Sequence, residues 1–141
     1  MSGLLDTWGT FANMPDWPEL ADFDRASFTT EDFYRVTARR HPDMRMSQFN
    51  NVDDKVQQLF LGLMGVRDPV RGLMAANISE LSAEIPNFRA YSAAGKNHTL
   101  LRYDRLYTTE TGGVRAVDWV RSLAEGKDVA TVSCAAKSAC D

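Results

Sequence analysis

Two acidic residues and one histidine follow the two segments of this sequence that have the character of β-strands. Asp53 and Asp54 come after a strand candidate at about 44–49, and His98 comes after a second candidate at about 87–93. A carboxylate that binds one imidazole nitrogen fixes the ring tautomer, so that the other nitrogen can take a proton from a nucleophile. These residue types fit the acid and the base of a Ser-His-Asp type triad. The alternative is a hydrogen-bonded loop histidine and an acidic pair that caps the start of a helix.

The elements between the two strand candidates predict how these residues are placed. Asn50 and Asn51 predict a turn after the first strand candidate. Apolar periodicity predicts one helix over about 52–65 and another over about 68–86, which Asp68 before Pro69 is expected to cap. Two strands joined by a helical crossover lie parallel, with a right-handed connection. A parallel sheet has its chemistry at the carboxyl ends of its strands. We therefore expect an α/β fold that brings Asp54 and His98 to one rim of a short parallel sheet flanked by helices.

Further helix signals frame this unit. Thr29 as N-cap, with Asp32 at the third helical position, predicts a helix that ends at His41, for which a capping role is favoured over catalysis. A last helix is predicted over about 112–125. The aromatic, Gly- and Pro-punctuated residues 1–28 predict a loop that covers the core, or alternatively a lid beside a substrate cleft.

The whole chain reads as a single domain, 1–141, because neither a repeat nor a linker divides it. Its parts are a covering loop at 1–28, an α/β portion at 29–126 and a C-terminal tail at 127–141. The tail contains Cys134 and Cys140, which could close a small loop in an oxidising compartment or stay as two separate thiols.

Composition and charge exclude several classes of function. Lys and Arg number 16 against 19 Asp and Glu, a formal net charge of -3, which argues against a strongly basic nucleic-acid binder. No apolar run approaches the roughly 20 residues that a membrane helix needs. The first residues have no basic stretch followed by an apolar one, so no export signal is readable. Two histidines and two cysteines leave few ways to build a metal site.

Several short segments resemble one family of hydrolases. Residues 48–60, QFNNVDDKVQQLF, resemble the part of the pectin acetylesterase and Notum-type hydrolases that carries the triad acid, where an Asp is followed three residues later by a Gln, as Asp54 is by Gln57. Residues 95–101, GKNHTLL, resemble the histidine loop of that family, with His98 at the catalytic position. Three shorter stretches resemble the closing segment of its bacterial branch: 107–108, 113–114 and 118–120.

The resemblance, over roughly residues 30–134, implies an α/β-hydrolase fold and a carboxylic-ester hydrolase. It implies a small-molecule or carbohydrate ester as substrate, no metal or organic cofactor, and a secreted or periplasmic location. By the same resemblance Asp54 is the triad acid and His98 the base. Asp53 is the second choice for the acid, and its expected ordinary role is that of a helix cap.

The serine residues depart from the family pattern. In α/β-hydrolases the nucleophile precedes the acid, on a G-x-S-x-G elbow. Only Ser2, Ser27 and Ser47 precede Asp54, and none of them stands in such a setting. We therefore expect the C-terminal part of such an enzyme, with the acid and the base but without the nucleophile. The alternative is a non-catalytic α/β interaction module.

Overall fold

Helices are interspersed with short strands along the chain. The computed structural model describes the backbone of residues 2–134 and the side chains of residues 5–134. Two single 3₁₀ turns, Thr10–Ala12 and Pro18–Leu20, follow the first helix. The helices and strands within the described range are α1 (Ser2–Thr7), α2 (Thr30–Arg40), β1 (Met46–Asn51), α3 (Lys55–Leu63), α4 (Val70–Glu84), β2 (Phe88–Ala93), α5 (Arg105–Thr108), β3 (Glu110–Thr111), β4 (Val114–Arg115) and α6 (Ala116–Ala124).

The strands β1 and β2 form a parallel pair, in register from Met46 opposite Phe88 to Asn51 opposite Ala93. This confirms a mixed α/β class with a short parallel sheet flanked by helices. The first strand begins and ends two residues later than the predicted 44–49, because it starts at Met46 and its last residues are Asn50 and Asn51 instead of a turn. Their side-chain amides donate to Gln48 Oε1 and to the Asn97 carbonyl, so the extended backbone leaves both amides with acceptors.

The far edge of β2 is also occupied. Val132 lies in a parallel bridge opposite Tyr91. Its amide donates to the Ala90 carbonyl at 2.8 Å, and its carbonyl accepts from the Ser92 amide at 2.8 Å. The segment predicted as a C-terminal tail at 127–141 therefore begins by joining the sheet. Among the described residues no strand pairs with the other edge of β1.

Helices cover both faces of this small sheet. On one face Phe88 and Ala90 pack with Leu81 and Ile85 at the end of α4. On the other face Tyr91 and Ala93, which have the opposite orientation because side chains alternate along a strand, pack with α6. These contacts make β2 the buried centre of the α/β portion.

The start of α2 follows the prediction closely. Thr29 and Asp32 form a reciprocal capping box, and the ring of Phe28 lies 4.9 Å from that of Phe33 as a hydrophobic staple. The helix ends where His41 donates its backbone amide to the Thr37 carbonyl, which confirms its capping position.

Other boundaries differ from the predicted ones. Residues 1–28 are not a loop throughout, because α1 and the two 3₁₀ turns lie within them. Asp68 does not cap α4. Instead the side chain of Gln58 accepts from the Val70 amide at 2.8 Å and donates to the Asp68 carbonyl, so α3 provides the cap. The helix predicted from 112 begins at Ala116, because two glycines with positive φ turn the chain between β3 and β4.

Two features bear on the tail and on membranes. Cys134 is fully buried, whereas Cys140 lies outside the described residues, and so does the loop that a bond between them would close. Within residues 2–134 no helix has the length and apolar character required to span a bilayer.

Candidate active site

The turns that follow β1 and β2 run side by side at one rim of the sheet. Where the strand ladder ends, backbone hydrogen bonds continue between the two turns. They are Val52 N–H to Ala93 O at 2.9 Å, Asp53 N–H to Gly95 O at 3.1 Å, and Lys55 N–H to Lys96 O at 3.3 Å. The turn after β1 and the turn after β2 are therefore held side by side beyond the end of the sheet.

Asp54 and His98 meet at this rim. The Nδ1 atom of His98 lies 2.8 Å from Oδ2 of Asp54. The Asp54 residue is 1% exposed, while the His98 side chain is 49% exposed. The prediction that these two side chains converge at the carboxyl ends of adjacent parallel strands is confirmed. Their catalytic roles stay a prediction.

The carboxylate of Asp54 also caps helix α3. Its Oδ1 accepts from the backbone amides of Val56 at 2.8 Å and Gln57 at 3.0 Å. Its Oδ2 accepts from Nε2 of Gln57 at 3.2 Å in addition to the contact with His98. The carboxylate thus lies at the positive end of a helix, fixed by donors on both oxygens. Because a carboxylate can only accept, it selects the tautomer of His98 that carries the proton on Nδ1 and leaves Nε2 as an acceptor.

Asp53 has a different role from the expected one. It is not the cap of α3, because its carboxylate turns toward α4 and forms a two-point ion pair with Arg71. The Oδ2–Nη2 distance is 2.8 Å and the Oδ1–Nε distance is 3.1 Å. The hydrogen bonds that Arg71 donates to Asp53 outweigh the opposing effect of desolvation and raise the pKa of Arg71. Arg71 also donates to the Cys134 carbonyl, so Asp53 links the turn after β1 to α4 and, through Arg71, to Cys134. Because Asp54 and not Asp53 contacts His98, Asp54 is the acid that the geometry favours.

Two residues at the site were not predicted to support it. Gln57 was recognised only as a match to the family segment, and the structure shows that its amide donates to Asp54. Its position three residues after an N-cap is the signal that could have revealed this contact. Asn51 was interpreted as part of a turn, yet its amide donates to the Asn97 carbonyl at 2.9 Å, next to His98. Nothing in the local sequence indicates that long-range contact.

Among residues 2–134, no serine is hydrogen-bonded to the His98 ring. Within residues 2–134, Asp54 is the hydrogen-bond partner that the structure gives to the His98 ring. Ser27 is hydrogen-bonded to Asp24, Ser47 lies on β1, and Ser92 is buried in β2. The same residues contain no group of three or more His, Cys, Asp or Glu side chains arranged to hold a metal ion.

A groove of about 600 Å³ lies along the free edge of β1. It is bounded by β1 and by helices α2, α3 and α4, and side chains from both faces of the strand line it, including Gln48 and Phe49. Apolar side chains of α3 and α4 form much of its wall, among them Phe60, Met64 and Leu73. The groove therefore opens on the one edge of the parallel sheet that the described chain leaves unpaired.

Comparisons with known proteins add no neighbour to this picture. No family model matches the chain, and the searches of curated proteins and of solved structures give no match either. The functional argument consequently rests on the geometry of the site.

Proposed function

We propose that this chain supplies the acid and the base of a serine carboxylesterase of the pectin acetylesterase and Notum type, within an α/β-hydrolase fold. The observation that carries the proposal is the 2.8 Å contact between the buried Asp54 carboxylate and Nδ1 of the half-exposed His98, at a common rim of two parallel strands. A buried acid that orients an accessible imidazole is the supporting half of a nucleophilic triad.

The roles follow from this geometry. The Nε2 atom of the half-exposed His98 takes the proton from a serine hydroxyl as the serine attacks the ester carbonyl. It then returns that proton to the departing alcohol. Asp54 keeps the ring in the required tautomer and stabilises the imidazolium that forms in between. The substrate class is a small-molecule or carbohydrate ester, and the reaction needs neither a metal nor an organic cofactor. A secreted or periplasmic location belongs to the same proposal.

The nucleophile and the oxyanion-binding amides come, in this proposal, from polypeptide that adds to the free edge of β1. The other side of the sheet is closed by the pairing of the Val132 segment with β2. A parallel strand added beside β1 would lie about 4.8 Å from it and end at the rim where Asp54 and His98 meet. The groove along that edge offers the apolar surface that such a strand and its helix would cover.

The decisive experiment extends the open reading frame upstream and compares the long protein with the 141-residue chain. We expect the long protein to hydrolyse p-nitrophenyl acetate and acetylated carbohydrate, and to be inactivated by a serine-directed fluorophosphonate. The chain alone should show negligible turnover, because within residues 2–134 no serine is hydrogen-bonded to the His98 ring, and attack by an activated serine is a large catalytic contribution. Fluorophosphonate-sensitive turnover by the chain alone, or an inert long protein, would contradict the proposal.

A second candidate is a non-catalytic α/β interaction module. The observation that favours it is the exposed apolar surface of α3 beside the free edge of β1, where Leu59, Phe60 and Leu63 face solvent. Such a module would bind its partner equally well after His98→Ala. The esterase, in contrast, would lose turnover in that variant without losing assembly.

A further inference from the structure

We infer that Asn51 is a positioning residue for His98: its side-chain amide holds the histidine loop so that the imidazole meets Asp54. The inference rests on the proposed function for its catalytic meaning, although the contact itself lies within this chain. Asn51 is the last residue of β1 and is 7% exposed. Its Nδ2 donates to the carbonyl of Asn97, the residue immediately before His98, at 2.9 Å.

The histidine loop has few other attachments near His98. Backbone hydrogen bonds tie Ala93, Gly95 and Lys96 to the turn after β1. Among the described residues these backbone ties end at Lys96, and the next attachment along the loop is the bond from Asn51 to Asn97. Beyond His98, Arg105 donates to the Thr99 carbonyl over a longer distance, 3.4 Å.

Burial does not fix the imidazole either. The His98 side chain is half-exposed, so packing alone does not hold it against Asp54. The position of the His98 backbone then decides whether the imidazole can reach the carboxylate. A catalytic pair needs its members positioned within a fraction of an ångström. The buried side chain of Asn51 donates to the carbonyl of Asn97, which precedes His98 in the chain. Asn51 therefore affects the site by positioning the His98 backbone and not by touching a substrate.

Asn50 offers a matched comparison. It has the same side chain, precedes Asn51 on the same strand and is partly buried, but its amide donates to Gln48 within β1 instead of to the histidine loop. A substitution at Asn50 thus changes the strand by a similar amount without touching the loop.

The test measures the tautomer of neutral His98 in chain labelled with ¹⁵N-histidine, in dilute solution at alkaline pH. His41 is the only other histidine and serves as an internal reference. Asn51→Asp keeps the side-chain size but places a carboxylate oxygen against the Asn97 carbonyl. We expect the ratio of the Nδ1–H to the Nε2–H tautomer of His98 to fall about fivefold, the effect of losing one hydrogen bond.

Three further variants make the result specific. Asn51→Ser should lower the same ratio without adding a charge, and Asn50→Asp, which adds the same charge one residue away, should leave it unchanged. In an Asp54→Asn background, Asn51→Asp should have no additional effect on the tautomer, because the bond that Asn51 positions is already lost.

The inference is overturned if Asn51→Asp and Asn51→Ser keep the wild-type tautomer ratio. It is also overturned if both variants lose their far-UV circular dichroism and the His41 signal of the folded chain, because Asn51 would then be a structural residue only. The tautomer ratio is read without substrate. A shifted ratio in a protein that hydrolyses no ester would refute the proposed function and leave the positioning role standing, while an unchanged ratio in an active esterase would do the reverse.

Discussion

At the residue scale, the carboxylate of Asp54 has two separate roles. Its Oδ1 caps α3 through the amides of Val56 and Gln57, and its Oδ2 contacts Nδ1 of His98. Asparagine is as good an N-cap as aspartate, because its side-chain oxygen can accept the same amides. It cannot hold the imidazole as a carboxylate does, so the two roles can be separated by a single substitution.

We predict that Asp54→Asn lowers the rate of ester hydrolysis by the long protein by a factor on the order of 10⁴, as the equivalent change does in serine proteases. The free energy of unfolding should change little, because the cap is retained. Steady-state kinetics and urea denaturation measure the two effects. Asp53→Asn is the control, since it breaks the ion pair with Arg71 and leaves His98 untouched. A large rate loss in Asp53→Asn with little in Asp54→Asn would reverse the assignment of the acid.

At the scale of elements, one arginine joins α2 to α4. Arg35 binds Asp32 in its own helix, at 2.7 Å, and binds Glu80 and Glu84 of α4. Burial opposes ionisation of Asp32, but hydrogen bonds from the Thr29 amide and from Arg35 outweigh it and lower the pKa of that carboxyl. The hydrogen bond from Arg35 likewise lowers the pKa of Glu84. Contact between the two helices is therefore coupled to the ionisation of these acids.

This coupling predicts a stability that falls in acid. Because the folded-state pKa values of Asp32 and Glu84 lie below their unfolded values, the stabilisation is complete above about pH 5 and is lost as the pH falls through the folded-state values. Urea denaturation should show that Arg35→Gln is less stable than the wild type at pH 7, and that the difference shrinks as the pH approaches 3. A difference that stays constant between pH 7 and pH 3 would show that Arg35 contributes by packing alone.

The histidine loop depends on one backbone conformation. Gly95 has a φ of 117°, a region that residues with a Cβ rarely adopt, and its carbonyl accepts from the Asp53 amide. We predict that Gly95→Ala destabilises the protein by roughly 1 to 3 kcal/mol. Gly62→Ala is the matched control: it lies inside α3 with open space around it, and should stabilise by about 0.5 to 1 kcal/mol. Thermal or urea denaturation compares the two, and equal effects would contradict the strain argument.

At the scale of the molecule, the apolar interior is divided. The buried apolar residues among those described fall into four clusters, two of which are joined only through the partly buried Ile78. The free edge of β1 and the exposed apolar side chains of α3, including Leu63 at 74% exposure, add surface that favours association. The small parallel sheet has helices on both faces, but among the described residues no strand pairs with the outer edge of β1.

We therefore predict that the isolated 141-residue chain is poorly stable and tends to aggregate. Leu59→Glu combined with Leu63→Glu should reduce light scattering on heating, because both side chains already face solvent on α3. Ala124→Glu combined with Ala130→Glu, which adds the same two negative charges at exposed positions outside α3, is the comparison. A monodisperse wild-type monomer with one cooperative thermal transition would contradict the prediction.

The sequence predicted the framework of the site better than its supports. The order of elements and the rule for parallel crossovers were enough to bring Asp54 and His98 together, because both follow from local patterns and chain topology. The contacts of Asn51 with Asn97 and of Asp53 with Arg71 join residues 46 and 18 positions apart. Such polar contacts leave no period or capping signal in the sequence, so a turn and a helix cap were predicted where the structure has long-range hydrogen bonds.

The double attachment of Asp54 has a consequence for how this chain can diverge. If descendants abandoned hydrolysis, His98 would be released from selection, since it is half-exposed and caps nothing. Position 54 would still be confined to the few residue types that can begin α3. An aspartate at position 54 would then be retained even in relatives that have lost the proposed activity. The presence of histidine at position 98, rather than of aspartate at position 54, would therefore distinguish relatives that keep that activity.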